Sequence, residues 1–177
     1  MKYYYPIPID HFEYATIDNA TERASLATLD GTPRASSWTE VTITLGAADH
    51  RQASRVADMP WLRWGLLLMR RRARLALEPV LDACGEFLPA RTADAQTLTI
   101  FHPTKIVNAL DLPSSKVSFV PGTSRIMTVD NAVFLVNKIV GVQAFRIPIA
   151  TSNLYVTEHV VNAAEASKLT GIEFRLA

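Results

Sequence analysis

From Gly85 onward the apolar residues fall into runs too short for helices and too regular for loops. Phe87 to Arg91, Thr97 to His102, Val117 to Val120, Arg125 to Val129, Ala132 to Val136, Gly141 to Ile149, Asn153 to Val156 and Ile172 to Leu176 each read as a strand. The pattern predicts an α+β fold: a mostly antiparallel sheet of short strands with two or three packed helices. No repeat, low-complexity tract or linker interrupts the chain. We therefore expect a single domain over 1–177, with 1–60 its looser portion.

Ahead of Gly85 the signals are mixed. Tyr3, Tyr4, Tyr5 and Ile7 favour a strand, which Pro6 and Pro8 should confine to a sheet edge. Asp18 to Leu29 suits a short helix or a loop, and Trp38 to Leu45 alternates as a half-buried strand. Asp58-Met59-Pro60 resembles a helix start, and Leu62, Leu66, Met69, Ala73, Ala76 and Leu77 follow at helical spacing. Pro79 should end that helix, with a second running from Glu78 through Cys84 to Gly85, placed after its C-cap. A last helix is expected near Glu158 to Ala166, with Thr157 as its N-cap.

The balance of charge narrows the function. The chain carries 18 Lys and Arg against 17 Asp and Glu, which argues against a protein built to grip a polyanion. One segment departs from that balance: residues 61–91 hold six basic and three acidic side chains. The lone cysteine, Cys84, excludes an internal disulfide and a multi-cysteine zinc site. Its apolar neighbours make it a buried thiol, as suits a reducing compartment. Prolines and Asp10 break any secretory apolar core near Met1, and the longest apolar run, Gly65 to Met69, cannot span a bilayer. A cytoplasmic protein with no membrane association is expected; no feature fixes an oligomeric state.

No phosphate-binding glycine loop, zincin motif or nucleophile elbow occurs. His11, His50, His102 and His159 lie far apart. His102, at the end of an apolar strand, reads as a packing or capping residue, and Glu158 at the positive end of a helix dipole has a structural reason to be there. No catalytic residue, cofactor or metal ligand is assigned, and we expect a protein that is not an enzyme. The chemical oddity is the arginine group Arg63, Arg70, Arg71, Arg72 and Arg74. It reads as a solvated helix face, partly paired through Arg74 and Glu78, or as a partner-binding stripe.

Three segments resemble one family. They are Glu78-Pro79-Val80-Leu81-Asp82-Ala83-Cys84-Gly85 running into Glu86-Phe87-Leu88-Pro89-Ala90-Arg91, then Ile106-Val107-Asn108-Ala109-Leu110-Asp111-Leu112-Pro113-Ser114-Ser115. The third runs from Ala144-Phe145-Arg146-Ile147-Pro148 through Leu154-Tyr155-Val156-Thr157-Glu158 to Leu169-Thr170-Gly171-Ile172-Glu173-Phe174. Residues 78–177 are thus similar to a bacterial immunity-protein family of polymorphic toxin systems, formerly catalogued as a domain of unknown function. The departure is Glu78-Pro79, where the family would place serine before the helix. The resemblance implies a protein that binds a cognate toxin and blocks it. It carries over no catalytic residue, and Gly171, Phe145, Ile147, Phe174 and Leu176 have ready roles as a turn and as core-facing strand positions.

The partner-binding residues expected are Arg63, Arg70, Arg71 and Arg74. Two other readings remain open: a small hydrolase built from His102 or His159 with a carboxylate, and a nucleic-acid or regulatory module using the arginine helix. The second is weakened by the lack of interleaved aromatics.

Overall fold

Leu66, Leu67, Leu68 and Met69 are all buried, and this decides how the middle of the chain folds. A helix resting on a core hides one stripe of side chains, whereas four consecutive buried residues need cover on two opposite faces. The computed structural model describes residues 1–47, 54–123 and 126–177. Leu67–Met69 form a strand, Leu66 leads into it, and a core lies on each side.

In chain order the elements are β1 (Tyr3–Pro8), β2 (Tyr14–Thr16), α1 (Ala20–Ala27), β3 (Val41–Gly46), β4 (Leu67–Met69), α2 (Arg71–Leu81) and β5 (Gly85–Thr92). Then come β6 (Thr97–Pro103), β7 (Lys116–Phe119), β8 (Ile126–Asn131), β9 (Ala144–Ile147), β10 (Ala150–Thr157), α3 (Glu158–Ala166) and β11 (Ile172–Leu176). One sheet has the order β2–β3–β5–β6–β4, a second β11–β1–β10–β9, and β7–β8 is a separate hairpin. Strand pairing is antiparallel except between β3 and β5. The fold is α+β, as expected.

Leu66 and Leu68 face a core with Val41, Ile43, Leu88, Ile100 and Leu26 of α1. Leu67 and Met69 face the opposite way, toward Leu77 and Leu81 of α2, Val160 and Val161 of α3, and Val156 of the second sheet. The two larger sheets and helices α2 and α3 share this second core, which makes the chain one domain. A third core lies on the far face of the second sheet, where Tyr3, Phe134, Phe145 and Tyr155 meet, mostly edge to face.

The helix expected from Asp58 onward is therefore corrected. Gly65 has φ +79°, outside helical geometry, and α2 begins only at Arg71, with Arg70 at its N-cap. The expected break at Pro79 is also corrected, since α2 continues through it to Leu81 before a short 3-10 turn over Asp82–Cys84. A proline inside a helix costs about 3 kcal/mol. Leu77 and Leu81, a turn apart on either side of it, are fully buried, and burying each contributes about 1.5–3 kcal/mol. Two anchors outweigh one lost bond. Gly85 is not a left-handed cap: it opens β5 in extended geometry, where an added Cβ would sit 2.3 Å from the His102 carbonyl oxygen.

β1 lies inside its sheet rather than at the edge, despite Pro6 and Pro8. The Tyr3 carbonyl accepts from Ala177, and the Ile9 N–H donates to Gly171. Odd positions thus bond β11, and the two prolines turn their donorless nitrogens toward β10. There the pairing already stops at Tyr4 opposite Val156. The prolines occupy the stretch of β1 that is paired on one side only, which is the condition they require.

α3 and β11 form with the expected bounds. Thr157 is the N-cap of α3, but its hydroxyl bonds the Gln143 side chain rather than the helix. The strand expected over Trp38 to Leu45 starts only at Val41. Ala132 to Val136 is not a strand; only Phe134 of this run is buried, held by an isolated bridge to Leu110. Leu176 is exposed rather than core-facing. The Arg125 end of the expected β8 lies outside the described residues.

Gly171 has φ +104°, and a Cβ there would lie 2.4 Å from the Met59 carbonyl oxygen. Gly171→Ala should cost about 2–4 kcal/mol, or roughly 5–15 °C in Tm, measured by thermal unfolding.

Candidate functional site

The arginines do not form one helical stripe. Arg63 precedes β4 and donates to the Leu26 carbonyl at 3.4 Å. Arg70 is drawn inward: it pairs with Glu13 at 2.9 Å, donates to the Ala57 carbonyl at 2.9 Å and reaches the Gln96 amide oxygen at 2.6 Å. On α2, Arg74 pairs with Glu78 at 2.9 Å, and its guanidinium stands 5.2 Å from the centre of the Phe87 ring. Its hydrogen bond holds the Glu78 carboxyl below the ordinary value. Arg72 is taken up by Asp58 and the Ser167 carbonyl.

Arg71 is exposed and, among the described residues, its side chain makes no hydrogen bond or ion pair. It occupies the first turn of α2, which contains no acidic residue. A cation there opposes the helix dipole, which favours negative charge at this end.

The titratable groups of interest are tied into the scaffold. His102 is completely buried. Its Nε2 accepts the Gly31 N–H at 3.0 Å, and its Nδ1 lies 3.4 Å from Glu86. This is the pair of groups a hydrolase would need, but Nε2 is already occupied by backbone and neither ring nitrogen reaches solvent. Burial, reinforced by the charge of Arg146, pushes the His102 pKa down, against the opposing pull of Glu86. Burial would raise Glu86, yet N–H groups of Arg34 and Ala35 at 2.7 and 3.0 Å keep it low.

Arg146 is 1% exposed and sits beside this network. Its guanidinium donates to the carbonyls of Pro103 (2.9 Å), Leu29 (3.2 Å), Gly65 (2.8 Å) and Thr151. Burial lowers its pKa to about 10, so the group stays charged at neutral pH.

His159 approaches the Gln143 amide oxygen at 3.0 Å, His11 is exposed, and His50 lies outside the described residues. The Cys84 thiol is buried and accepts from the Gln143 N–H. Among the described residues no cluster of three His, Cys, Asp or Glu could hold a metal ion, and no helix is long and apolar enough to cross a membrane.

A cleft of about 400 Å³ lies between β1, β10, the Trp64-Gly65 segment and the β7–β8 hairpin. It opens where β1 and β10 part. Beyond the Tyr4–Val156 pair, the next even-numbered position of β1 is Pro6, which has no N–H to continue the ladder. Tyr5, Tyr155 and Trp64 stand on its walls, with Met127 and Asp130 contributed by β8. Trp64 is 51% exposed and Met127 60%. The positions 5, 64, 130 and 155 lie in four separate segments, so sequence spacing could not have joined them. The one local hint was the pairing of Trp61 with Trp64, whose rings meet edge to face at 5.0 Å.

No protein-family model matches the chain, and no curated protein matches it in sequence.

Two outcomes are expected. In the unfolded chain His102 titrates near 6.5, while the folded value is lower. As pH falls below about 6.5 the unfolded state takes up the proton first, so stability is full above that pH and is lost on acidification. His102→Gln should flatten the dependence of Tm on pH between about 7 and 5, followed by calorimetry. Arg146→Lys keeps a charge but cannot reach four carbonyls, and should lose about 3–5 kcal/mol in chemical denaturation.

Proposed function

We propose that this chain is an immunity protein: it binds a cognate bacterial toxin stoichiometrically and neutralises it in the cytoplasm, with no chemistry of its own. The observation that carries the reading is the large apolar and aromatic side chains left uncovered around the cleft and hairpin. Trp64, Phe119 and Met127 are all at least half exposed. Exposed aromatic residues and methionine are the side chains that anchor protein interfaces. The resemblance of residues 78–177 to an immunity-protein family points the same way, as does the engagement of His102, Glu86 and Arg146 in holding the fold.

Such an interface would bury about 1,600 Å² in total, with a few anchors supplying most of the affinity. Among the four arginines expected to touch the partner, Arg71 and Arg74 are the better placed, and Arg63 contributes at most its outer edge. Arg70 is spent on Glu13, so its reversal would report on folding rather than binding. Arg71 stands against the helix dipole, an arrangement that weakens α2 and suits an acidic partner that would neutralise it.

The decisive experiment is rescue. Cells expressing the toxin encoded next to this gene should grow only when this chain is co-expressed, and purified toxin should form a one-to-one complex with it. Failure of both would end the reading. Within the complex, Arg71→Glu with Arg74→Glu should slow association about tenfold or more at low salt, measured by stopped flow. The Arg71→Glu change alone should leave Tm unchanged or raise it by about 1–3 °C.

A further inference from the structure

The cleft has a chemistry more specific than an apolar hollow. Its walls carry three aromatic side chains, Tyr5, Trp64 and Tyr155. The Tyr5 and Trp64 rings lie 6.4 Å apart at 45°, and Trp64 is braced from behind by Trp61. Tyr155 is fixed by stacking on Phe145 and by the edge of Phe134. These rings are held in place before anything binds.

Among the described residues lining the cleft, Asp130 alone has a charged side chain. Its carboxylate accepts from the Ser118 and Thr128 hydroxyls at 3.0 and 2.9 Å, which orient it. Among the described residues it has no cationic partner. Among the described residues no lysine, arginine or histidine lines the cleft, so an anion would meet there only negative charge and the electron-rich faces of rings. A neutral apolar guest would take water from Asp130 and bring it no opposite charge. A cation on an aliphatic stem satisfies both parts, its stem against Met127, Val129 and Leu154 and its head against rings and carboxylate. The volume of about 400 Å³ lies at the small end of the range for ligand sites, roughly 300–1,000 Å³, and suits one long side chain.

We infer that this cleft is a receptor for a basic side chain, arginine or lysine, presented by a polypeptide partner. The inference deepens the reading of the chain as a toxin-binding protein by naming what enters the cleft. Its test uses short peptides and no toxin, so it stands or fails separately from the rescue experiment.

The probes are end-capped tripeptides with glycine on either side of arginine, lysine or citrulline, together with n-propylguanidinium alone. The readout is the indole N–H signal of Trp64 in a nitrogen–proton correlation spectrum, assigned with Trp64→Phe. The arginine or lysine peptide should give a saturable shift with Kd in the range of about 0.1–10 mM, and citrulline should bind about fivefold more weakly or less. Asp130→Asn should weaken the basic peptides about fivefold or more while leaving the rest of the spectrum in place. Met127→Ala, a second variant remote from any core, should weaken them too. No shift at ~20 mM, equal binding of citrulline, or indifference to Asp130→Asn would each overturn the inference. Tighter binding of n-propylguanidinium than of either basic peptide would also overturn it, assigning the cleft to a free organic cation.

Discussion

A buried guanidinium holds the two halves of this protein together. Arg146 belongs to β9, yet the carbonyls it binds come from the end of α1's loop, the bend before β4, the end of β6 and the start of β10. Burying a charge is costly unless every donor finds an acceptor, and a planar fork with five N–H groups can meet that demand where a lysine cannot. The backbone around it is correspondingly close. An added Cβ at Gly65 would fall 2.2 Å from the Ser152 carbonyl oxygen and 2.9 Å from the Arg146 guanidinium. Through Gly65 the same arginine sets the position of Trp64, so the wall of the cleft is anchored from beneath by the group that joins the sheets.

Much of the architecture can be read along the chain where one physical signal dominates. α3 and β11 have clear periods, an acidic first turn at Glu158 and a glycine before the last strand, and both form as read. β5 and β6 are equally plain, a long antiparallel hairpin from Gly85 to Pro103. The misreadings come from signals that two structures share. Leu62, Leu66 and Met69 fit a helical period, but so does any run in which nearly every residue is apolar, and cover on both faces turns Leu67–Met69 into a strand. Pro6 and Pro8 forbid a fully paired strand, which is a weaker restriction than confinement to an edge. Arg146 lay hidden within a Phe-Arg strand because its partners are backbone carbonyls, which leave no mark on residue identity.

The candidate site divides between what is built in and what is left out. His102, Glu86, Arg70 and Cys84 are the groups that invite a catalytic reading, and each is committed to an internal partner. The residues exposed around the cleft and on the first turn of α2 are of another kind: rings, a methionine, an oriented carboxylate and one arginine facing the positive end of its own helix. The cleft that the rings, the methionine and the carboxylate line depends on β1 and β10 separating at Pro6.

The second sheet also has a kinetic consequence. β1 pairs along its length with β11, joining Tyr4 to Leu176 and Pro8 to Ile172, the most distant strands in the chain. Closing so large a loop is entropically slow compared with zipping the β5–β6 hairpin. Until β11 has been synthesised, β1 lacks its main neighbour, and its three consecutive tyrosines stay without their native cover. The five-stranded sheet should therefore nucleate first, with the sheet that bears the cleft assembling last.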